Sequence, residues 1–193
     1  MKPARRVFVL GGAHTQFIGK GHPDFIWKKH PDFGQRENPT LEQQMQTAVD
    51  KTLEVTGVAA EAIERGFVGN FAGQTFVSQG HLGAMAARLH PGLANKPWTR
   101  VEAACASGGC AVVSAVEALQ AGYDVAMALG AEVQTTVSAR VGADYLARAA
   151  HYELERSIDE FTFPAMFARR WKAYKEAFGA SEEDMGQVVT KAY

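Results

Sequence analysis

The chain alternates short continuous apolar runs with longer amphipathic stripes. Four runs read as buried strands: Arg5–Gly12 (Val7, Phe8, Val9, Leu10), Gly66–Phe71, Trp98–Ala104 and Asp124–Ala131. Between them lie helical patterns. The first begins near Thr40, where Thr40 and Gln43 match a capping box behind Pro39; its stripe is Leu41, Met45, Ala48, Val49, Thr52 and Leu53, and it ends before Gly57. A second, Gly80–Leu89, is stopped by Pro91-Gly92, and a third, Ala106–Ala121, by Gly122. Strands that alternate with helices predict right-handed βαβ units, hence an α/β fold with a mostly parallel sheet covered by helices.

Beyond Glu132 the texture changes. Residues 134–150 are small, polar and irregular. Phe163–Phe178 then carries Phe167, Trp171, Tyr174 and Phe178 on one helical face, closed by Gly179. Ser181 and Asp184 open a last helix, with Met185, Val188, Val189 and Ala192 at helical spacing, which reaches Tyr193 without a stop signal. The expected organisation is an α/β portion over 1–133 and the beginning of a helical region over 134–193, in a chain that is the front part of a longer protein.

Residues 19–38 form a polar insertion with the tetrapeptide His-Pro-Asp-Phe twice, at His22–Phe25 and His30–Phe33. Three readings stand: a surface loop, a binding or specificity loop, and a metal site built from His22, Asp24, His30 and Asp32.

With 47% hydrophobic and 21% charged residues among 193, the chain has the composition of a soluble globular protein. A formal charge of −1 with scattered Lys and Arg gives no case for nucleic acid or an anionic membrane. No apolar stretch nears the roughly 20 residues of a membrane span. The apolar run after Arg5-Arg6 is too short for a signal peptide, so a cytoplasmic protein is expected. The two cysteines, Cys105 and Cys110, lie too far apart on a helix to bridge, and neither has metal-type spacing.

The candidate chemistry lies in Val101-Glu102-Ala103-Ala104-Cys105-Ala106-Ser107-Gly108-Gly109. A cysteine where a strand gives way to a helix faces the helix's unpaired amides and partial positive charge, which favour the reactive thiolate. Strand alternation predicts that Glu102 points away from Val101, Ala103 and Cys105. Ser107, Gly108 and Gly109 leave room for a ligand carbonyl, and the amides of Cys105 and Ala106 are candidate oxyanion donors. The opposing reading is a buried structural cysteine, as expected of Cys110. None of the six histidines (His14, His22, His30, His81, His90, His151) lies in a motif that marks it as the activating base.

Several segments together resemble the thiolase superfamily, nearest to the N-terminal half of acetyl-CoA acetyltransferases and sterol-carrier-like thiolases. They are Arg6–Phe17, Val68-Gly69-Asn70-Phe71, Ala86-Ala87-Arg88-Leu89, Val101–Gly109, Ala128-Leu129-Gly130-Ala131-Glu132, Phe167–Trp171 and Phe178–Ser181. The resemblance implies a βαβαβ half of a five-layered body, with 134–193 beginning a loop domain that holds coenzyme A. It implies that Cys105 accepts an acyl group from acyl-CoA and that part of the oxyanion holes comes from the family's C-terminal half; the local residues make Ala106, Ser107 and Gly108 the candidate oxyanion turn. The base and a second acid/base cysteine would come from the family's C-terminal half. Coenzyme A thioesters would be substrates, with no bound cofactor or metal. It further implies a homo-oligomer paired through the strand beside Cys105; some members also work with a zinc-ribbon/OB-fold partner. A non-catalytic thiolase-like scaffold and a ketoacyl-synthase-like condensing enzyme are the competing readings.

Overall fold

The computed structural model describes residues 5–192, so Met1–Ala4 and Tyr193, where the last helix was expected to end, lie outside the described residues. The chain divides into two compact units after Val137.

The first unit is built on a parallel three-stranded sheet in the order β2-β1-β3, with β1 at Arg65–Gly69, β2 at Trp98–Val101 and β3 at Ala126–Gly130. In register, Val68 of β1 lies between Arg100 of β2 and Leu129 of β3. Central β1 is buried from Gly66 to Gly69. Its side chains alternate across the sheet, and the alternation separates two cores. Val68 faces α1 (Leu41–Thr56) and α3 (Leu82–Ala86), among Leu41, Met45, Val49, Leu82 and Ala86. Phe67 faces α4 (Ser107–Gln120) and packs on Ala111, Ala115 and Ala118. The two crossovers step in opposite directions from this strand order, so right-handed connections put their helices on opposite faces. A short α2 (Gly73–Phe76) follows β1.

Helix α1 starts as its sequence dictates. The Gln43 N–H donates to Thr40 Oγ1 at 3.2 Å and the Thr40 N–H to Gln43 Oε1 at 2.8 Å. Gly57, at φ 65°, ends it by donating to the Leu53 carbonyl.

Arg5–Gly12 departs from expectation. It forms no strand, and Phe8, Val9 and Leu10 are 65%, 91% and 67% exposed. Arg5 anchors it: the Arg5 N–H donates to Gln120 Oε1, Gln120 Nε2 returns a bond to the Arg5 carbonyl, and the guanidinium pairs with Asp124. An apolar run reports a need for cover, whereas a strand exists only where a neighbouring ladder receives its amides. Helix α4 is likewise apolar on two sides, and Val112, Val113 and Val116 on its far face are exposed.

In the insertion, His22, Asp24, His30 and Asp32 do not assemble into a metal site; no cluster of three potential ligands occurs among the described residues. Each repeat closes its own turn instead. The Asp24 N–H donates to His22 Nδ1, and the Asp32 N–H to His30 Nδ1, both at 3.1 Å. Asn38 binds both backbone groups of Ile26 and holds that residue in the core.

The second unit carries α5 (Ala139–Leu146), α6 (Tyr152–Glu155), α7 (Thr162–Phe178) and α8 (Glu182–Ala192). The expectation of irregular structure over 134–150 is corrected by α5, which Ser138 caps by accepting from the Val141 N–H. Asp144 is the polar hub. It accepts from the Tyr152 hydroxyl at 2.7 Å and from Arg148 and Arg156 at 3.1 Å, while Arg148 also lies over the Tyr152 ring. The Tyr152 bond, helped by the two guanidiniums against partial burial, holds the Asp144 carboxyl below its ordinary range. Helix α7 carries an aromatic ladder, Trp171–Tyr174–Phe178, beside an open groove reaching Met185 of α8.

Candidate active site

The site begins where β2 ends. The ladder stops at Val101, three residues earlier than the apolar run suggested, and the chain turns sharply before α4. Ala103 is at φ −153°, ψ 48°, and Ala104 enters the left-handed region at φ 49°. For alanine that conformation costs roughly 1–2 kcal/mol relative to the right-handed one. Ala104–Ala106 then forms a single 3₁₀ turn, with the Ala106 N–H donating to the Ala103 carbonyl at 2.9 Å. Cys105 is the middle residue of that turn, and it is exposed. Cys110, one turn into α4, is half-buried, and both thiols are free.

Ser107 holds the turn from below. Its side chain accepts from the Ala103 N–H at 3.0 Å and donates to the Ala104 carbonyl at 2.7 Å. The residue is 5% exposed, buried where Cys105 is not. The helix start is itself fixed on the sheet. A Cβ at Gly69 would lie 2.7 Å from the Ser107 carbonyl carbon and 2.8 Å from Gly108 Cα, so glycine at the end of β1 is what lets α4 begin here. Gly108 and Gly109 present the opposite situation. Apart from its chain neighbours and the helix's own backbone, a Cβ on either would meet no atom of the described residues within 4 Å, so the ground beside the first turn of α4 is open.

Glu102 is a correction. Alternation was expected to turn its carboxylate away, but alternation ends with the ladder at Val101, and the carboxylate folds back to accept the Ala104 N–H. It thus caps the amide one residue before Cys105. The amide donors are also partly spoken for, since the N–H groups of Ala106 and Ser107 both bond within the turn.

Buried Asn70, just past β1, was missed as a structural determinant. Its Oδ1 accepts from the Gly73 N–H at 3.1 Å, and its Nδ2 donates to the Ala131 carbonyl at 2.8 Å, tying together the ends of β1 and β3. Glu132 adds a second tie by accepting from the N–H groups of Phe71 and Ala72. A polar residue directly after an apolar strand was the available signal. Of the histidines, His90 accepts from the Gly92 N–H through Nδ1, repeating the turn at His22 and His30, and His81 sits at φ 44° ahead of α3.

Comparison with known proteins agrees with the sequence resemblance. The family described as thiolase, N-terminal domain, matches residues 31–185, which include β1, β2, β3 and the Cys105 turn. An acetyl-CoA acetyltransferase of Methanothermobacter thermautotrophicus is 34% identical over 137 residues, covering 70% of this chain and 35% of the relative. The protein of the same name from Methanocaldococcus jannaschii is 35% identical over 136 residues, covering 70% and 34%. The chain therefore spans about a third of the length of these relatives. No helix among the described residues is long and apolar enough to cross a membrane. The parallel sheet, the helix covering each face and the extent of the match together establish that this chain belongs to the thiolase family, within its N-terminal domain.

Proposed function

We propose that Cys105 is the acyl-accepting nucleophile of a thiolase-type C-acyl transfer between coenzyme A thioesters. The observation that carries this reading is an exposed thiol in a turn held in place, at the head of α4 and inside the family match. In the forward half-reaction the thiol gives up its proton and Sγ bonds the thioester carbonyl carbon. The carbonyl electron pair moves to oxygen and returns as the carbon–sulfur bond to coenzyme A breaks, and the departing thiolate takes a proton. The α-carbon of a second acyl-CoA then gives up a proton and bonds the acyl carbon while that carbon's bond to Cys105 Sγ breaks and the thiolate is reprotonated; in the direction of lipid breakdown Sγ bonds the keto carbon of a 3-ketoacyl-CoA, the carbon–carbon bond beside it breaks, and the departing α-carbon takes a proton.

The base and the second acid/base group are assigned by the resemblance to the family's C-terminal half. The exposed valines of α4 supply apolar ground on which a further layer can pack. The oxyanion turn is assigned to Cys105, Ala106, Ser107 and Gly108, with the amides not already bonded in the turn as donors. Strand β2, which leads to Cys105, has β1 on one side and is one of the two outer strands of the described sheet, so two copies can pair through it into a homo-oligomer in the cytoplasm.

Acyl-CoA labelling of this chain together with a thiolase C-terminal half that supplies the base, followed by intact mass and peptide mapping, tests the proposal. Acetyl mass on Cys105 and faster alkylation there than at Cys110 are expected. Slow, equal labelling of both thiols refutes it.

A further inference from the structure

Ala104 and Cys105 share one peptide group: the Ala104 carbonyl and the Cys105 N–H are its two dipoles. No peptide among the described residues is cis, so these two dipoles point to opposite sides. The buried Ser107 hydroxyl holds the Ala104 oxygen at 2.7 Å and, through its other bond, the Ala103 N–H at 3.0 Å. It therefore grips both ends of the strained two-residue span on which Cys105 is carried. Ser107 is fixed in turn, because its backbone rests on Gly69 of the central strand.

From this chain of constraints we infer that Ser107 is a positioning residue for acyl transfer. Its hydroxyl keeps Ala104 left-handed and so aims the Cys105 N–H and thiol together at the incoming thioester. The inference rests on the acyl-accepting reading of Cys105. A hydroxyl is required because one atom must both accept and donate, which neither a methyl group nor a thiol does well. Ala104 carries no side chain that would favour its conformation, so the turn depends on outside bonds such as these.

The test uses the full chain in a Cys110→Ser background, joined for the acetylation arm by a thiolase C-terminal half that supplies the base, and follows two reactions of Cys105. Acetylation by acetyl-CoA builds negative charge on the carbonyl oxygen and needs the amide in place. Alkylation by iodoacetamide is displacement at a saturated carbon, develops no such charge, and reads the exposure and ionisation of the thiol without the oxyanion donor. Ser107→Ala is expected to slow acetylation by about tenfold or more, as a misdirected oxyanion donor does. Alkylation should change little, and Ser107→Thr should restore acetylation. Parallel loss of both reactions, or loss of neither, overturns the inference. The ¹⁵N–¹H resonance of Cys105 gives a readout independent of acyl chemistry. It should shift in Ser107→Ala and return in Ser107→Thr; an unmoved resonance overturns the inference. A parent chain that accepts no acetyl group even beside a thiolase C-terminal half that supplies the base would instead remove the nucleophile proposal, and the amide resonance would still decide the role of Ser107.

Discussion

Substituting Gly69 by alanine isolates the contact on which the site's geometry depends. The added Cβ would lie 2.8 Å from Gly108 Cα and 2.7 Å from the Ser107 carbonyl carbon, where ordinary contact begins at 3.4 Å. Both neighbours are backbone atoms in the first turn of α4, so no flexible side chain can swing aside. The Ser107 carbonyl oxygen lies closer still, so relief requires the helix start to retreat by more than about 0.7 Å or β1 to bend, and overpacking of this kind costs about 1–3 kcal/mol. For a chain of this size that is a fall in Tm of roughly 2–12 °C. Differential scanning calorimetry measures it. Because Ser107 moves with the helix start, Cys105 acetylation should fall as well. The matched control is Gly108→Ala, one residue into the helix, where a Cβ meets nothing within 4 Å. There the better helix propensity of alanine should leave Tm equal or slightly raised. If Gly69→Ala melts with the parent, or if Gly108→Ala is the more damaging of the two, the claim that α4 is seated on the end of β1 is wrong.

Three further outcomes follow from other parts of the structure. Asn70→Ala leaves the buried Gly73 N–H and Ala131 carbonyl without their partner and should destabilise the first unit by about 2–3 kcal/mol in urea titration; a change under about 0.5 kcal/mol would count against the tie between β1 and β3. Thr40→Ala removes half of the capping box of α1 and should cost about 1 kcal/mol by the same assay, with an unchanged midpoint refuting the cap. The Asp144 carboxyl is held below its unfolded value, chiefly by Tyr152, so its contribution is complete above about pH 4–5 and is lost as the pH falls through the lowered folded value. Thermal melts from pH 7 to pH 3 should therefore show a smaller acid loss in Asp144→Asn than in the parent. The group is partly exposed and the difference is small, but its direction is fixed, and a steeper acid loss in the variant would contradict it.

Legibility in the sequence followed the range of the interactions. The α1 boundaries could be read because Thr40, Gln43 and Gly57 act within one turn of themselves. The strands at Arg65–Gly69, Trp98–Val101 and Ala126–Gly130 were found from their apolar runs, though each proved shorter than its run. Arg5–Gly12 carried an equally good run and formed no strand, since pairing belongs to the neighbour as much as to the segment. The twin His-Pro-Asp-Phe segments left a surface loop, a binding loop and a metal site open, and each histidine turned out to accept from the amide two residues on. In the site, Cys105 stood out by its neighbours. The left-handed Ala104, the folded-back Glu102 and the two bonds of Ser107 had no signature, because alanine is an unexpected residue at positive φ and serine bonds in many ways.

By itself the sequence determined the α/β rhythm, the capped helices and a cysteine followed by small residues at the head of an apolar helix. These depend on side-chain period and on bonds between near neighbours, which order along the chain encodes directly. Only the tertiary structure decided that β1 lies between β2 and β3, that α4 rests on Gly69, and that a buried hydroxyl grips the turn beneath an exposed thiol. Those are contacts between residues distant in the chain or in conformations their types do not advertise, and they exist only once the sheet has brought the strand ends together.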